Sequence, residues 1–134
     1  YLFSRFKGEE WRTQKLVKEL LAQYFTTKPD GIPGNDDTGT MSAWAIFSMM
    51  GLYPDCPGVP EYTLTTPTFD KITLKLDPKY WGKDELVITK EGKGDYIKEI
   101  RLGKKKINKY LISHDELIKA GEITFVVTEN PNKK

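Results

Sequence analysis

The chain has one cysteine, Cys56, and one histidine, His114, and both scarcities exclude whole classes of chemistry. A lone cysteine leaves no partner for an internal disulfide and no thiolate metal cluster. A lone histidine rules out any motif that places two imidazoles on one metal. No apolar run approaches the roughly 20 residues needed to span a bilayer as a helix. Charge of one sign is not in excess: 21 basic residues face 19 acidic ones for a net charge of +2, which predicts neither a nucleic-acid nor a membrane partner. The densest basic run, Lys104-Lys105-Lys106, follows Gly103 and reads as a solvated hairpin tip. The first residue is Tyr1, so a cut piece or a processed product is expected, and the lack of a visible targeting segment carries little weight.

What is present fits a soluble globular protein: 134 residues with 38% hydrophobic content, enough for one domain or for a small domain plus part of another. Tyr1 to Gly8 is short, aromatic and basic. Glu9 to Phe25 reads as a helix, with Leu16, Val17, Leu20, Leu21 and Tyr24 on one stripe and Glu9 and Glu10 in the first turn, where the macrodipole favours negative charge. Trp11 on this helix is either a packing residue or a sugar-stacking platform. Thr26 to Gly39 is a loop rich in Pro, Gly, Asp and Asn, containing the turn signature Lys28-Pro29-Asp30-Gly31. Met41 to Met50 is a second helix, apolar on every face and therefore expected to be surrounded by protein; Gly51 ends it.

Cys56-Pro57-Gly58-Val59-Pro60 cannot continue a helix. Beyond it, strands are predicted over 61–65, 71–76, 85–90, 96–102, 109–112 and 122–128, with the period-2 alternation of half-buried strands at Ile72-Leu74-Leu76 and, along 96–102, Ile97-Glu99-Arg101 opposite Ile100-Leu102. Ser113 and Glu116 form a capping box for a short helix ended by Gly121, which places His114 on a surface turn in a structural role. The predicted class is α+β: two α-helices followed by an antiparallel β-sandwich-like unit. The expected division is residues 1–54 for the helices and acidic loop, and 55–134 for the β unit. The β unit could fold alone, whereas two helices with an all-round apolar second member cannot bury themselves. They are expected to pack on something upstream, or to self-associate.

Between the helices, Gly34-Asn35-Asp36-Asp37-Thr38-Gly39 puts an amide and two adjacent carboxylates between glycines at a helix mouth. Three readings are open. Asp37 or Thr40 could cap the helix. Asp30, Asn35, Asp36 and Asp37 could chelate calcium, although the spacing is not that of an EF-hand and its closing Glu is absent. Or one carboxylate could be a general base, held ionised by the helix terminus and suited to taking a proton from water. Adjacent carboxylates diverge, so Asp36 and Asp37 cannot together form the acid/base pair of an inverting glycosidase, whose carboxyls stand about 6.5–9.5 Å apart.

Tyr1-Leu2-Phe3, Trp11-Arg12-Thr13-Gln14, Pro29 through Gly39, Met41-Ser42-Ala43-Trp44, Gly51-Leu52-Tyr53-Pro54 and Cys56-Pro57-Gly58 follow one another in an order that resembles the glycoside hydrolase family 92 α-mannosidases. Pro67-Thr68-Phe69-Asp70-Lys71 and Ser113-His114 continue the likeness. The resemblance covers nearly the whole chain and matches only the C-terminal end of such enzymes. It implies a calcium-dependent, inverting, exo-acting α-mannosidase with an N-terminal β-sandwich domain and an (α/α)6 catalytic barrel. The two helices would then be the remnant of that barrel.

By the same resemblance, Asp37 carries the catalytic base. Asn35 stands where some members have a carboxylate, and can orient water but not deprotonate it. Asp36 shapes the loop from behind. Trp11 and Trp44 fall on matched positions, with substrate contact open for Trp11. The catalytic acid and the calcium ligands lie upstream, so no metal ligand is assigned in this chain and this portion alone is expected to bind no calcium. The implied partners are mannose-containing glycans, with α-1,2 linkage favoured, and the upstream domains of the same parent. The implied location is periplasmic or secreted. The other reading of the chain is a non-catalytic, β-rich carbohydrate-binding or interaction module.

Overall fold

A computed structural model describes residues 1–131. After a 3-10 turn over Leu2–Arg5, helix α1 runs Glu10–Tyr24. The carboxylate of Glu10 lies in the first turn and accepts the Gly8 N–H at 2.8 Å. Its buried face is Thr13, Gln14, Val17 and Leu21, and it stops where Phe25 turns extended. Only Val17 and Leu21 of the predicted apolar stripe are therefore inside; Leu16, Leu20 and Tyr24 are exposed. The stripe is wider than the surface the rest of the chain offers it, and two polar residues take the innermost positions.

Helix α2 spans Thr40–Met50 between two left-handed glycines, Gly39 and Gly51. Gly51 has no substitute: a Cβ there would lie 2.6 Å from the Thr65 carbonyl oxygen. The chain then forms β1 (Leu52–Tyr53), β2 (Glu61–Leu64), β3 (Lys71–Lys75), the short helix α3 (Pro78–Trp81), β4 (Glu85–Gly92), β5 (Tyr96–Leu102), β6 (Lys105–Ile107), β7 (Leu111–Ser113), α4 (His114–Ala120) and β8 (Glu122–Thr128).

Two sheets result, β1-β2-β7 and β3-β4-β8-β5-β6, and they share one core in which Leu64, Ile88, Ile123 and Phe125 are fully buried. The α+β class is as predicted, but the unit is not purely antiparallel. β4 and β8 pair in parallel, because the connection through β5, β6, β7 and α4 returns the chain to the end from which β4 started. Strand β1 precedes the Pro54–Pro60 connector yet pairs with β2, and its Leu52 belongs to the larger core.

Two further expectations are corrected. Lys105 and Lys106 are not the hairpin tip but the start of β6, paired with Leu102 and Arg101; only Gly103 and Lys104 form the turn. The strict alternation expected along β5 is broken by a bulge between Ile97 and Glu99, which sends both Ile97 and Ile100 inward.

Helices and sheets are joined by specific bonds. Gln14, 2% exposed, accepts the Ile97 N–H at 2.8 Å. Lys18 donates to the Pro67 carbonyl at 3.1 Å. The last turn of α2 is tied in by Thr68 N–H to Met49 O at 2.8 Å and Thr65 N–H to Gly51 O at 2.9 Å.

Candidate active site

The acidic loop hangs between the end of α1 and the start of α2. Its first stem closes where Thr26 N–H donates to Gly31 O at 2.8 Å. Residue 31 must be glycine, since an added Cβ would sit 2.2 Å from the Thr26 carbonyl oxygen. Its second stem is a 3-10 turn over Asp37–Gly39, closed by Gly39 N–H to Asp36 O at 2.8 Å, that runs directly into α2.

Thr38 within this turn has φ 55°, the one positive φ outside glycine among the described residues. A β-branched residue in the left-handed region costs roughly 1–3 kcal/mol and needs a reason to stay. The reason is local: the hydroxyls of Thr38 and Thr40 both donate to the Asp37 carbonyl at 2.6 Å. The backbone at Asp37 is thereby clamped while its side chain is left exposed.

The two adjacent carboxylates have different employment. Asp36 reaches forward over the helix start, where Oδ2 accepts the Ser42 hydroxyl at 2.5 Å and Oδ1 accepts the Ser42 N–H at 2.9 Å. The Ser42 hydroxyl first, then the Ser42 and Met41 backbone N–H groups, hold the Asp36 carboxyl below the usual carboxylate range. Capping thus falls to Asp36, not to Asp37 or Thr40 as the sequence suggests, because Gly39 occupies the cap position and has no side chain to offer. The carboxyl lowered by the helix start is that of Asp36. Ser42 was missed; a polar residue early in an otherwise apolar helix, six positions after an aspartate, was the available signal.

Asn35 is exposed beside Asp37 on the same loop. Trp11 is not brought to this cluster. Half-buried, it lies against the Arg12 guanidinium, 5.4 Å from the ring centroid, in a shallow groove with Phe3 and Leu16. The end of α1 that feeds the loop is roughly 20 Å further along the helix axis at 1.5 Å per residue. Trp44 is near: it stacks on Phe25 at 5.3 Å and walls an apolar groove of about 390 Å³ shared with Leu20, Tyr24, Pro33 and Met41. His114 sits far from the loop, half-buried, with Nδ1 2.9 Å from the Tyr62 hydroxyl and the Trp81 ring against it at 4.9 Å.

As to a metal, no group of three or more His, Cys, Asp or Glu side chains able to hold an ion is present among the described residues. Asp36 has both oxygens committed to Ser42. The loop therefore does not fit a calcium site made from this chain's side chains. Among the described residues, no helix is long and apolar enough to cross a membrane.

Comparison with known proteins bears on what such a loop is for. The family model described as the glycosyl hydrolase family 92 catalytic domain matches residues 1–129. An uncharacterised secreted glycosidase of Arthroderma benhamiae is 28% identical over 122 residues, covering 88% of this chain and 16% of that protein. A family 92 α-mannosidase of Bacteroides thetaiotaomicron, solved with mannoimidazole, superposes with a TM-score of 0.83 at 28% identity, over 94% of this chain and 16% of its own. A family 92 inverting mannosidase of the same species gives a TM-score of 0.80 at 33% identity, over 92% of this chain and 17% of its own. The chain thus spans about one sixth of the length of the relatives it matches. With the match running through both the helices and the sheets, the chain belongs to glycosyl hydrolase family 92.

Proposed function

We propose that this chain is the C-terminal portion of a calcium-dependent, inverting exo-α-mannosidase that removes terminal α-linked mannose from glycans, α-1,2 linkages favoured, with Asp37 as its general base. The observation that carries the assignment within the loop is the unequal use of the two carboxylates. Asp36 is consumed by Ser42, whereas Asp37 has a clamped backbone and an exposed carboxylate. A base must be held in place and yet be open to water, and Asp37 is the member of the pair that meets both conditions.

In this mechanism Asp37 accepts a proton from a water that attacks the mannose anomeric carbon opposite the leaving oxygen. The C–O bond to the leaving group breaks as the new one forms, and an acid from outside this chain protonates the departing oxygen, so the configuration inverts. Asn35 hydrogen-bonds the same water and, having no carboxylate, leaves the proton to Asp37. Asp36 keeps the loop on the α2 terminus. Trp11 is too far along α1 to share the reacting sugar, and any substrate contact it makes is to a distant part of the glycan. Calcium in the intact enzyme belongs to residues beyond this chain and would supply electrophilic support to the sugar hydroxyls.

The apolar groove beside the loop supports the remainder of the reading: it suits the upstream barrel helices of the parent, with residues 1–54 as the barrel's last helices and 55–134 as the β unit. The 134 residues alone are then expected to lack hydrolase activity and to self-associate through this face. A periplasmic or secreted location accompanies the reading, as for the secreted relative.

The test is Asp37→Asn in the complete enzyme. Turnover is expected to fall by at least about 10³-fold with the fold retained, at or above the upper part of the range for general base catalysis. An unchanged kcat would return the loop to a capping role. Measurable α-mannoside hydrolysis by the isolated chain, or a strictly monomeric chain in sedimentation, would contradict the division of labour.

A further inference from the structure

Gln14 is buried in a place where an apolar residue would be ordinary. It sits on the inner face of α1 between Thr13 and Val17, 2% exposed, and its carbonyl accepts the Ile97 N–H at 2.8 Å across 83 residues of sequence. That N–H lies beside the bulge between Ile97 and Glu99, on a stretch of β5 that β6 does not reach, since β6 pairs only with Ile100–Leu102. A buried backbone donor at a disrupted ladder must find an acceptor. Only a side chain of this length, with a carbonyl at its end, supplies one from a helix without moving the helix closer.

The catalytic loop has two stems, and each is carried by a helix hydrogen-bonded to the β unit. The first stem follows α1, which is pinned by Gln14 to Ile97 and by Lys18 to Pro67 O. The second stem opens α2, whose last turn is pinned by Met49 O and Gly51 O to the strap 65–68. Among the described residues, the helices share a small core of Val17, Leu21 and Ala45, with Tyr1, Met49 and the Phe25–Trp44 stack packed against it, and Tyr1 bridges them by accepting from the Thr13 hydroxyl at 3.4 Å and bonding the Ser48 hydroxyl at 2.5 Å. That bridge ties the helices to each other; it is the hydrogen bond at Gln14 that ties α1 to β5, and a shift of one residue rise, about 1.5 Å, breaks it.

We propose that Gln14 is a positioning residue for the Asp37 loop: it fixes the register of α1 on the bulged strand β5, and so sets the separation of the two loop stems. The β unit is then the gauge of the catalytic loop, not an accessory module. This rests on Asp37 being the base; the loop-positioning part can be read without activity.

The experiment compares Gln14→Met, which keeps length but removes both the acceptor for Ile97 and the amide that bonds Tyr110, with Gln14→Glu, which restores the acceptor alone, both in the complete enzyme. For Gln14→Met, kcat is expected to fall about 10- to 100-fold with KM within about twofold, since a misplacement near 1 Å can cost that much. Amide exchange over residues 36–42 is expected to quicken at a temperature where the protein remains folded. Gln14→Glu is expected to recover most of both. Wild-type kcat and wild-type loop exchange in a Gln14→Met protein that is merely less heat-stable would overturn the proposal and leave Gln14 as a stability pin. If Gln14→Met does not fold, Gln14→Asn withdraws the carbonyl while keeping an amide, and the same losses are expected; wild-type values overturn the proposal. Retained turnover in Asp37→Asn, with faster loop exchange in Gln14→Met, would instead show that the base assignment had failed and the positioning had not.

Discussion

The helical lead and the β unit differ in how far each completes its own interior. Among the described residues, the core of the two sheets and α4 holds eleven buried apolar residues, with Leu64, Ile88, Ile123 and Phe125 at 0% exposure. The core between α1 and α2 holds three of the described residues, Val17, Leu21 and Ala45, while Ile46 stands 59% exposed and Tyr24 45%. Most of the stability therefore resides in the β unit, and the candidate chemistry on the region with the smaller core. Under the proposed function the loop meets groups from elsewhere in the parent, and it then stands on the side with free apolar surface while hydrogen bonds to the larger core hold it still.

The largest effect that sharpens this contrast is expected in the β core. Phe125→Ala should destabilise the chain by about 3–5 kcal/mol, because a fully buried aromatic leaves a cavity that interlocked strands cannot close. Denaturant midpoints at constant m-value would measure it. On the helical side, Ile46→Gln should change the stability of the isolated chain by less than about 0.5 kcal/mol, the usual range for a surface site. In the complete enzyme the same change should cost about 2 kcal/mol or more if the face is covered there. Equal, small effects in both would break the comparison by showing that α2 stays solvent-facing. Next in size is Ser113→Ala, which removes one half of the capping box with Glu116 and should cost about 1 kcal/mol.

Much of this was legible in the sequence, and the failures share a cause. The capping box at Ser113 and Glu116, the terminating Gly51 and Gly121, and strands β5 and β8 follow from local signals, and the structure has them where those signals put them. Whatever depends on residues far apart was not readable. The parallel pairing of β4 with β8 depends on a long return connection. The inward face of α1 is set by what it meets, so Gln14 displaced Leu16 and Leu20 from the interior. The loop composition marked a polar cluster, but which carboxylate caps and which stays open depends on Ser42, one turn into the next helix. The family resemblance already proposed Asp37 as the base and Asp36 as the loop-shaping residue; the partner that occupies Asp36, Ser42, was not readable.

The smallest predicted effect is in acid, where each region has a carboxylate at a helix start whose pKa is lowered. Glu116 in the β unit is held down to about 2, chiefly by the Lys109 ammonium, then by the Ser113 N–H and hydroxyl. Asp36 on the helical side is also lowered, with no lysine involved: Ser42 and the α2 amides are the cause. A depressed folded-state pKa means stability that is present above the unfolded value and lost as pH falls through the folded one. For Glu116 that window runs from the ordinary 4.5 down toward about 2. A carbon-detected NMR titration should show Glu116 still ionised in folded protein at about pH 3. Lys109→Met should raise its midpoint, and Ser42→Ala should raise that of Asp36. Salt separates the two regions. Added salt at about 1 M shortens the Debye length to about 3 Å and should lift the Glu116 midpoint by weakening the exposed Lys109 pair, while leaving Asp36 nearly unmoved. If both midpoints shift alike with salt, the Asp36 cap is held by the general field of the chain and not by Ser42, and the loop's independence from its charged surroundings is lost.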